Sequence, residues 1–316
     1  MSRRSAPRAW VMVALSLICG CAKARNYDDP NLPVYSGGQP RGGTSAGTLR
    51  VVTFNLKWGR ETGRAAELFS RPGPLFDADL IVLQEMDEPG TRQLAEALGL
   101  GYVYVPSAVH PLARHDFGVA LLSPWPLEAP RKLVLPHQHR FRKLRRAATV
   151  ATLQSPLGAI RVYGIHLESP TGAGGQARRD QVLAVLADVE AWAGPVVVAG
   201  DFNGRGGPKE LAKAGFSWAT ESIGNTAGPF DFDHVLARGL CAPGPGTAGA
   251  AKADAGTSDH RPVWALLTAC RGRATGRPRR PGSARRLSSG ASGSRASARR
   301  AGRRGRTIRT RRRTRA

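Results

Sequence analysis

Apolar positions along the chain fall into short runs of aliphatic and β-branched residues that stop on polar ones. Residues 48–55 form such a run. Residues 79–85 form another, continuous enough to be buried on both faces and ending on a carboxylate. The same pattern predicts strands over 102–106, 118–123, 148–154, 160–166, 195–201, 232–237 and 261–267. Helical spacing appears at 65–69 and 90–98. It is clearest at 177–192, where Val182, Val185, Leu186 and Val189 share one face. Many strands with few helices between them predict two sheets packed face to face, with the helices outside. Six strands end at, or lie beside, a polar residue suited to catalysis: Asn55, Glu85, His166, Asp201 with Asn203, Asp233, and Asp259-His260 just before the last strand.

Composition changes this picture only at the two ends. The 316 residues are enough for a substantial core, and 41% hydrophobic residues exclude a wholly disordered chain. A mean hydropathy of −0.29 excludes a polytopic membrane protein. The net charge of +24 suggests a nucleic-acid binder until it is located. Residues 271–316 hold 18 Arg and no acid, whereas residues 21–270 hold 26 bases and 23 acids. The body is nearly neutral and the basic signal belongs to a tail. That tail has too few apolar residues to bury a core. It reads as a polybasic arm for an anionic surface, as a solvated extension, or as GC-rich codons read out of frame.

At the other end, Arg3, Arg4 and Arg8 precede an apolar run at 10–18 and then Cys19-Gly20-Cys21. This pattern reads as a secretion signal, too short to span a bilayer. Residues 18–21 also resemble a bacterial lipobox, with Cys21 as the lipidated residue. Ordinary secretion with cleavage near Ala22 or Ala24 is the other reading. The expected organisation is a signal at 1–20, a flexible tether at 21–47, a catalytic domain at 48–270 and a disordered Arg-rich tail at 271–316. The expected location is the bacterial cell envelope, anchored through lipid, or the exterior. Export permits a disulfide between Cys241 and Cys270, but their spacing does not establish one.

Glu85, Asp201 and Asp259 are hard oxygen ligands suited to Mg²⁺, Mn²⁺ or Ca²⁺, and Asn55 and Asn203 add neutral oxygens. His166 and His260 could hold a phosphoryl oxygen or protonate a leaving group. No Cys/His spacing suggests zinc, and neither a Gly-x-Ser-x-Gly elbow nor a P-loop occurs. His234 would face away from Asp233 in a strand and reads as structural. His110, His115, His137 and His139 read as solvated loop residues. The basic run 140–146 reads either as a solvated loop or as a phosphate-contacting rim led by Arg146.

Seven motifs recur in order along the body: Thr53-Phe-Asn55-Leu, Leu83-Gln-Glu85, Gly118-Val-Ala-Leu-Leu-Ser123, Gly164-Ile-His166-Leu, Gly200-Asp201-Phe-Asn203, Phe232-Asp233-His234-Val-Leu and Ser258-Asp259-His260. Together they resemble the endonuclease/exonuclease/phosphatase superfamily. The resemblance implies a four-layer α/β-sandwich, with two mixed sheets flanked by helices and a site at one mouth of the pair. It implies that Glu85, Asn55 and Asp259 serve a divalent metal, Mg²⁺ first. Asp201 would orient or deprotonate water, Asn203 would position it, and His260 and His166 would contact the phosphate. Asp233 would favour the imidazolium of His260. Implied substrates are nucleic acid, a phospholipid headgroup or a small phosphorylated metabolite, acted on by a monomer. An inactive binding protein of the same fold is the rival. Family nucleases often carry an acid where this chain has Lys57. No carboxylate partner for His166 is evident beyond Asp116, in a loop leading into a strand.

Overall fold

The computed structural model describes residues 23–44 and 47–270. Most of its strands of seven residues or more are buried on both faces, with Leu127–Val134 the clearest exception, while the strands of two or three residues lie nearer the surface. In chain order the strands are β1 (Arg25–Asn26), β2 (Tyr35–Gly37), β3 (Leu49–Asn55), β4 (Leu80–Met86), β5 (Gly101–Val109), β6 (Asp116–Ser123), β7 (Leu127–Val134) and β8 (Ala147–Ser155). The series continues with β9 (Gly158–His166), β10 (Val196–Asp201), β11 (Ser217–Trp218), β12 (Asp233–Arg238), β13 (Leu240–Cys241), β14 (Ala248–Ala250) and β15 (Val263–Ala269). The helices among the described residues are α1 (Thr62–Ser70), α2 (Glu88–Leu98), α3 (Gly175–Val189) and α4 (Gly206–Lys213).

One sheet runs β1-β5-β6-β4-β3-β15-β13, with β2 also on β5 and β14 on β15. The other runs β11-β12-β10-β9-β8-β7. Both are mixed, because β3 and β4 run parallel, as do β9 and β10, within otherwise antiparallel sheets. Side-chain alternation sets the layers. Leu49 and Val51 of β3 meet Val162, Val197 and Ala199 between the sheets, while Val52 and Phe54 turn outward to Ala65, Leu68 and Leu94 of α1 and α2. On the far side Val196 and Val198 pack on Val182, Val185 and Leu211 of α3 and α4. This is the four-layer α/β-sandwich, and each fully buried Val or Leu contributes roughly 1.5–3 kcal/mol to it. Helix α2 is bounded locally. The Asp87 carboxylate accepts the Gly90 N–H, Pro89 opens the first turn, and left-handed Gly99 closes the last.

Two glycines let the layers close around the site. A Cβ on Gly164 would stand 2.8 Å from a Leu121 methyl across the sheets. A Cβ on Gly200 would stand 1.9 Å from the Ile165 carbonyl oxygen, and its φ of +149° excludes most other residues. That glycine immediately precedes Asp201.

The tether expectation is corrected for residues 23–44. This segment lies along the first sheet, β1 pairing with Val109 and Ala108 and β2 with Tyr104, Val103 and Tyr102. The buried Lys132 ammonium donates to the carbonyls of Tyr27, Asp29 and Leu32, pinning the strap from the second sheet. Backbone pairing, one buried cation and scattered side-chain hydrogen bonds hold it, none of which apolar periodicity reports. Strand β7 and helix α4 were also not expected. In β7, Pro130 sits within an irregularity of register between Glu128 and Arg131, where a missing N–H is tolerated. The expected signal at 1–20, Cys21 and the tail at 271–316 lie outside the described residues. No helix among the described residues is long and apolar enough to cross a membrane.

Cys241 and Cys270 are joined in a disulfide, with 29 residues of sequence separation. The closed loop contains Ser258, Asp259 and His260. Loop-closure entropy for that length corresponds to about 3–4 kcal/mol. Scanning calorimetry of Cys241→Ser/Cys270→Ser is therefore expected to show a melting temperature lower by roughly 10 °C. An unchanged melting temperature would show that the bond adds nothing to the native fold.

Candidate active site

The strand ends that the sequence marks out converge on one mouth of the sandwich. Pairing in the second sheet sets Asp201 opposite His166 of β9 on one side and opposite Asp233 of β12 on the other. In the first sheet Asn55 pairs with Gln84, and an irregularity between Gln84 and Met86 turns the Glu85 carboxylate out of the ladder. Glu85 has φ +62° and Asn203 has φ +53°, left-handed conformations that cost non-glycine residues energy and mark built sites. A cleft of about 570 Å³ opens here, lined by Asn55, Glu85, His166, Asp201, Asn203, Asp259 and His260 among others.

Hydrogen bonds fix these groups before any substrate arrives. The Asn55 amide donates to both Asp201 Oδ2 at 3.1 Å and Glu85 Oε1 at 3.3 Å, bridging two carboxylates. Glu85 Oε2 accepts the Trp58 N–H at 3.1 Å. Asp201 Oδ1 accepts the Asn203 N–H at 2.8 Å, and the Asn203 amide donates to the Leu167 carbonyl. The Ser258 hydroxyl donates to the Asn55 carbonyl and accepts the His260 N–H, tying the last motif to the first.

His260 Nδ1 lies 2.8 Å from Asp233 Oδ2, which also accepts the Thr226 hydroxyl at 2.6 Å. Burial alone would lower the His260 pKa, but the hydrogen bond and charge of Asp233 outweigh it and raise it to about 9. His260 is therefore an imidazolium at neutral pH. Its Nε2 faces Asp201 Oδ2 at 4.0 Å, and His166 Nε2 lies 3.4 Å from the same oxygen. Burial, together with the Asp233 charge, pushes the Asp201 carboxyl up to about 7. Burial also raises Glu85. His166 is held well below its ordinary value by burial, then by the positive charges of Arg146, His260 and His110, so it stays neutral.

The departures from the family pattern resolve differently. Lys57 pairs with Asp259 at 3.1 Å, so this carboxylate is engaged at the cleft mouth. Asp116 does not serve His166; it accepts the Tyr27 hydroxyl at 2.8 Å, and His166 Nδ1 has no hydrogen-bond partner. The histidine expectation is corrected for two of four. His110 is buried and lines the cleft with His139, whereas His137 pairs with Asp180 and His115 stays at the surface. Rings of Trp58, His110, Phe117 and His166 follow one another at 5.7, 5.1 and 5.6 Å as an aromatic wall. His234 is structural, buried between Phe202 and Trp218.

Arg146 is not a solvated loop residue; it lines the cleft. It is buried over the Phe117 ring, 3.6 Å from Glu168, and its Nε and Nη1 lack partners beside the cleft. Glu168 was missed in the sequence, although its position two residues after His166 places it beyond the end of β9. Gln181 accepts the Glu168 N–H and donates to the Pro136 carbonyl, a structural role.

The model of the endonuclease/exonuclease/phosphatase family matches residues 52–260, and the chain belongs to that family. Members are phosphoester hydrolases that generally use a divalent metal. Among solved structures, an endonuclease/exonuclease/phosphatase from Beutenbergia cavernae DSM 12333 is 22% identical, with 71% of this chain and 72% of that one covered and a TM-score of 0.56. A mannosyl-6-phosphatase from Bacteroides thetaiotaomicron VPI-5482 is 16% identical, with 70% and 99% covered and a TM-score of 0.54. Sphingomyelinase C from Streptomyces griseocarneus is 20% identical, with 71% and 100% covered and a TM-score of 0.52. At these identities the likeness is one of fold. No curated protein matches the chain.

Proposed function

We propose that the protein is a divalent-metal-dependent hydrolase of phosphoesters, of phosphodiesterase or nuclease type, held at the bacterial cell surface by lipid on Cys21. The observation that carries the chemical reading is the Asp233–His260 pair aimed at Asp201 across a cleft that also holds Glu85 and Asn55. The donor set fits a hard cation. A buried carboxylate and a half-buried one share one amide, desolvation raises the pKa of both, and all their ligand atoms are oxygen.

Asp201, Asp233 and His260 also lie close enough together to bracket an ion. A protonated His260 offers donors rather than lone pairs, however, and Asp233 Oδ2, the oxygen nearest it, is already doubly hydrogen-bonded. Glu85 and Asn55 are the better holders, with Asp259 joining if it releases Lys57. A cation bound there supplies charge neutralisation at the phosphate oxygens.

In this reading Asp201 orients and deprotonates the attacking water, and Asn203 places it in line. The His260 imidazolium donates to a phosphate oxygen as negative charge builds, and neutral His166 adds a second contact. The near-neutral body disfavours a dedicated duplex-DNA enzyme, which would draw its affinity from neutralising phosphates.

The test is a panel of plasmid DNA, sphingomyelin and bis-p-nitrophenyl phosphate with Mg²⁺. At least one should be hydrolysed, and EDTA should abolish turnover. Equal, negligible activity of the wild type and Asp201→Ala on all three would defeat the enzyme reading. The anchor is tested by fractionation: Cys21→Ser should move the protein from the membrane to the soluble pool, and an unchanged distribution removes the lipid claim.

A further inference from the structure

The described chain begins at the rim of the cleft. The Ala24 N–H donates to the Arg142 carbonyl at 2.8 Å, and Arg142 lines the cleft. The Ala24 side chain packs with Ala108, Phe117 and Leu144 beside the aromatic wall. Arg25 pairs with Val109, the neighbour of cleft-lining His110. The Asn26 side chain donates to the Lys143 carbonyl and accepts the Arg145 N–H. The first residues are thus stitched to the loop that carries one wall of the site.

That loop presents an unusual surface. Phe141 is 61% exposed, with the Arg140 guanidinium over its ring, and Lys143 is exposed beside it. Lys23 and Arg25 add two further exposed cations at the same place. Of the nearby acids, Asp28 is paired with Arg145 at 3.1 Å. An exposed aromatic ring ringed by cations suits the boundary between anionic headgroups and acyl chains.

Chain length says what covers this surface. Only two residues lie between Cys21 and Ala24, and an extended chain spans at most about 11 Å over those three steps. We infer that the face formed by residues 23–26 and 140–143 docks on an anionic lipid bilayer, so that the cleft opens toward the headgroups. The inference rests on the anchored reading above and adds an orientation to it. An anchor entering elsewhere would leave the cleft free to face water; one entering here holds it at headgroup depth. Substrate would then arrive laterally in the membrane plane.

The test is amide hydrogen exchange, read by mass spectrometry, on the full-length protein with vesicles of phosphatidylglycerol and phosphatidylcholine. Residues 139–146 should exchange at least roughly tenfold more slowly than in detergent. Residues 71–79 lead into the opposite end of β4 and include half-exposed Phe76, and they should not change. Phe141→Ser should restore fast exchange at 139–146 without releasing the protein from the vesicles. A protein that does not sediment with vesicles overturns the anchored reading and the docking with it. A protein that sediments while 139–146 exchange as in detergent leaves the anchor standing and overturns the orientation. Equal slowing by inorganic phosphate without vesicles also overturns it, because the segment would then be closing over a soluble anion.

Discussion

Asp201→Asn is expected to stabilise the protein while cutting its turnover about a thousandfold. Asp201 is buried, and its carboxyl titrates near 7 because burial and the Asp233 charge oppose ionisation. A carboxyl whose pKa is higher in the native state than in the unfolded one favours folding fully below the unfolded value. That contribution is lost as pH rises through the native value. Between the ordinary 3.8 and about 7 the native state therefore loses about 4 kcal/mol at this one group.

An asparagine carries no charge to desolvate. It loses one acceptor, since Asp201 serves both the Asn203 N–H and the Asn55 amide, which costs about 1–2 kcal/mol. Urea titration in EDTA at pH 8 should find the variant more stable by about 2 kcal/mol, and at pH 4 the advantage should vanish. Turnover should fall by about a thousandfold, the general base being gone. A variant less stable than wild type at pH 8 would mean that the carboxylate is better compensated than its surroundings indicate.

Asp233→Asn should produce a defect that depends steeply on pH. With Asp233 in place His260 titrates near 9, so about nine-tenths is protonated at pH 8. Without that carboxylate the imidazole returns toward its ordinary value of about 6.5, and only about 3% is protonated at the same pH. If the charged form contacts the phosphate, kcat/KM at pH 8 should fall roughly thirtyfold from protonation alone, with little loss near pH 6. The alkaline limb should move down by about two and a half pH units. A uniform loss across pH would assign Asp233 a purely structural part, held through Thr226.

Much of this site could be read from the strands that deliver it. Asn55, Glu85, His166 and Asp201 were visible because a buried strand must stop somewhere, and Asp233 because another must start, and these ends carried complementary chemistry. The layers followed from strands too apolar to face water on either side. What escaped was held by other means. The strap at 23–44 rests on backbone pairing, one buried lysine and scattered polar side-chain contacts, none of which has a period. His110 looked like a loop residue because burial there comes from Trp58 and Phe117, distant in sequence or following it. Glu168 and Arg146 become partners because antiparallel pairing sets the start of β8 beside the end of β9.

Glu85 and Asn203 hold left-handed backbones at opposite sides of the cleft. That strain sets when the site is organised. The energy for aiming a ligand and a water-positioning amide is spent once, as the sheets close during folding. It does not recur with each turnover, so a substrate meets a finished geometry and has nothing to rearrange. The same arrangement narrows what these positions tolerate. A β-branched replacement at 85 or 203 would break the backbone before it altered the chemistry, whereas glycine at 85 would relax the turn and leave it without a ligand.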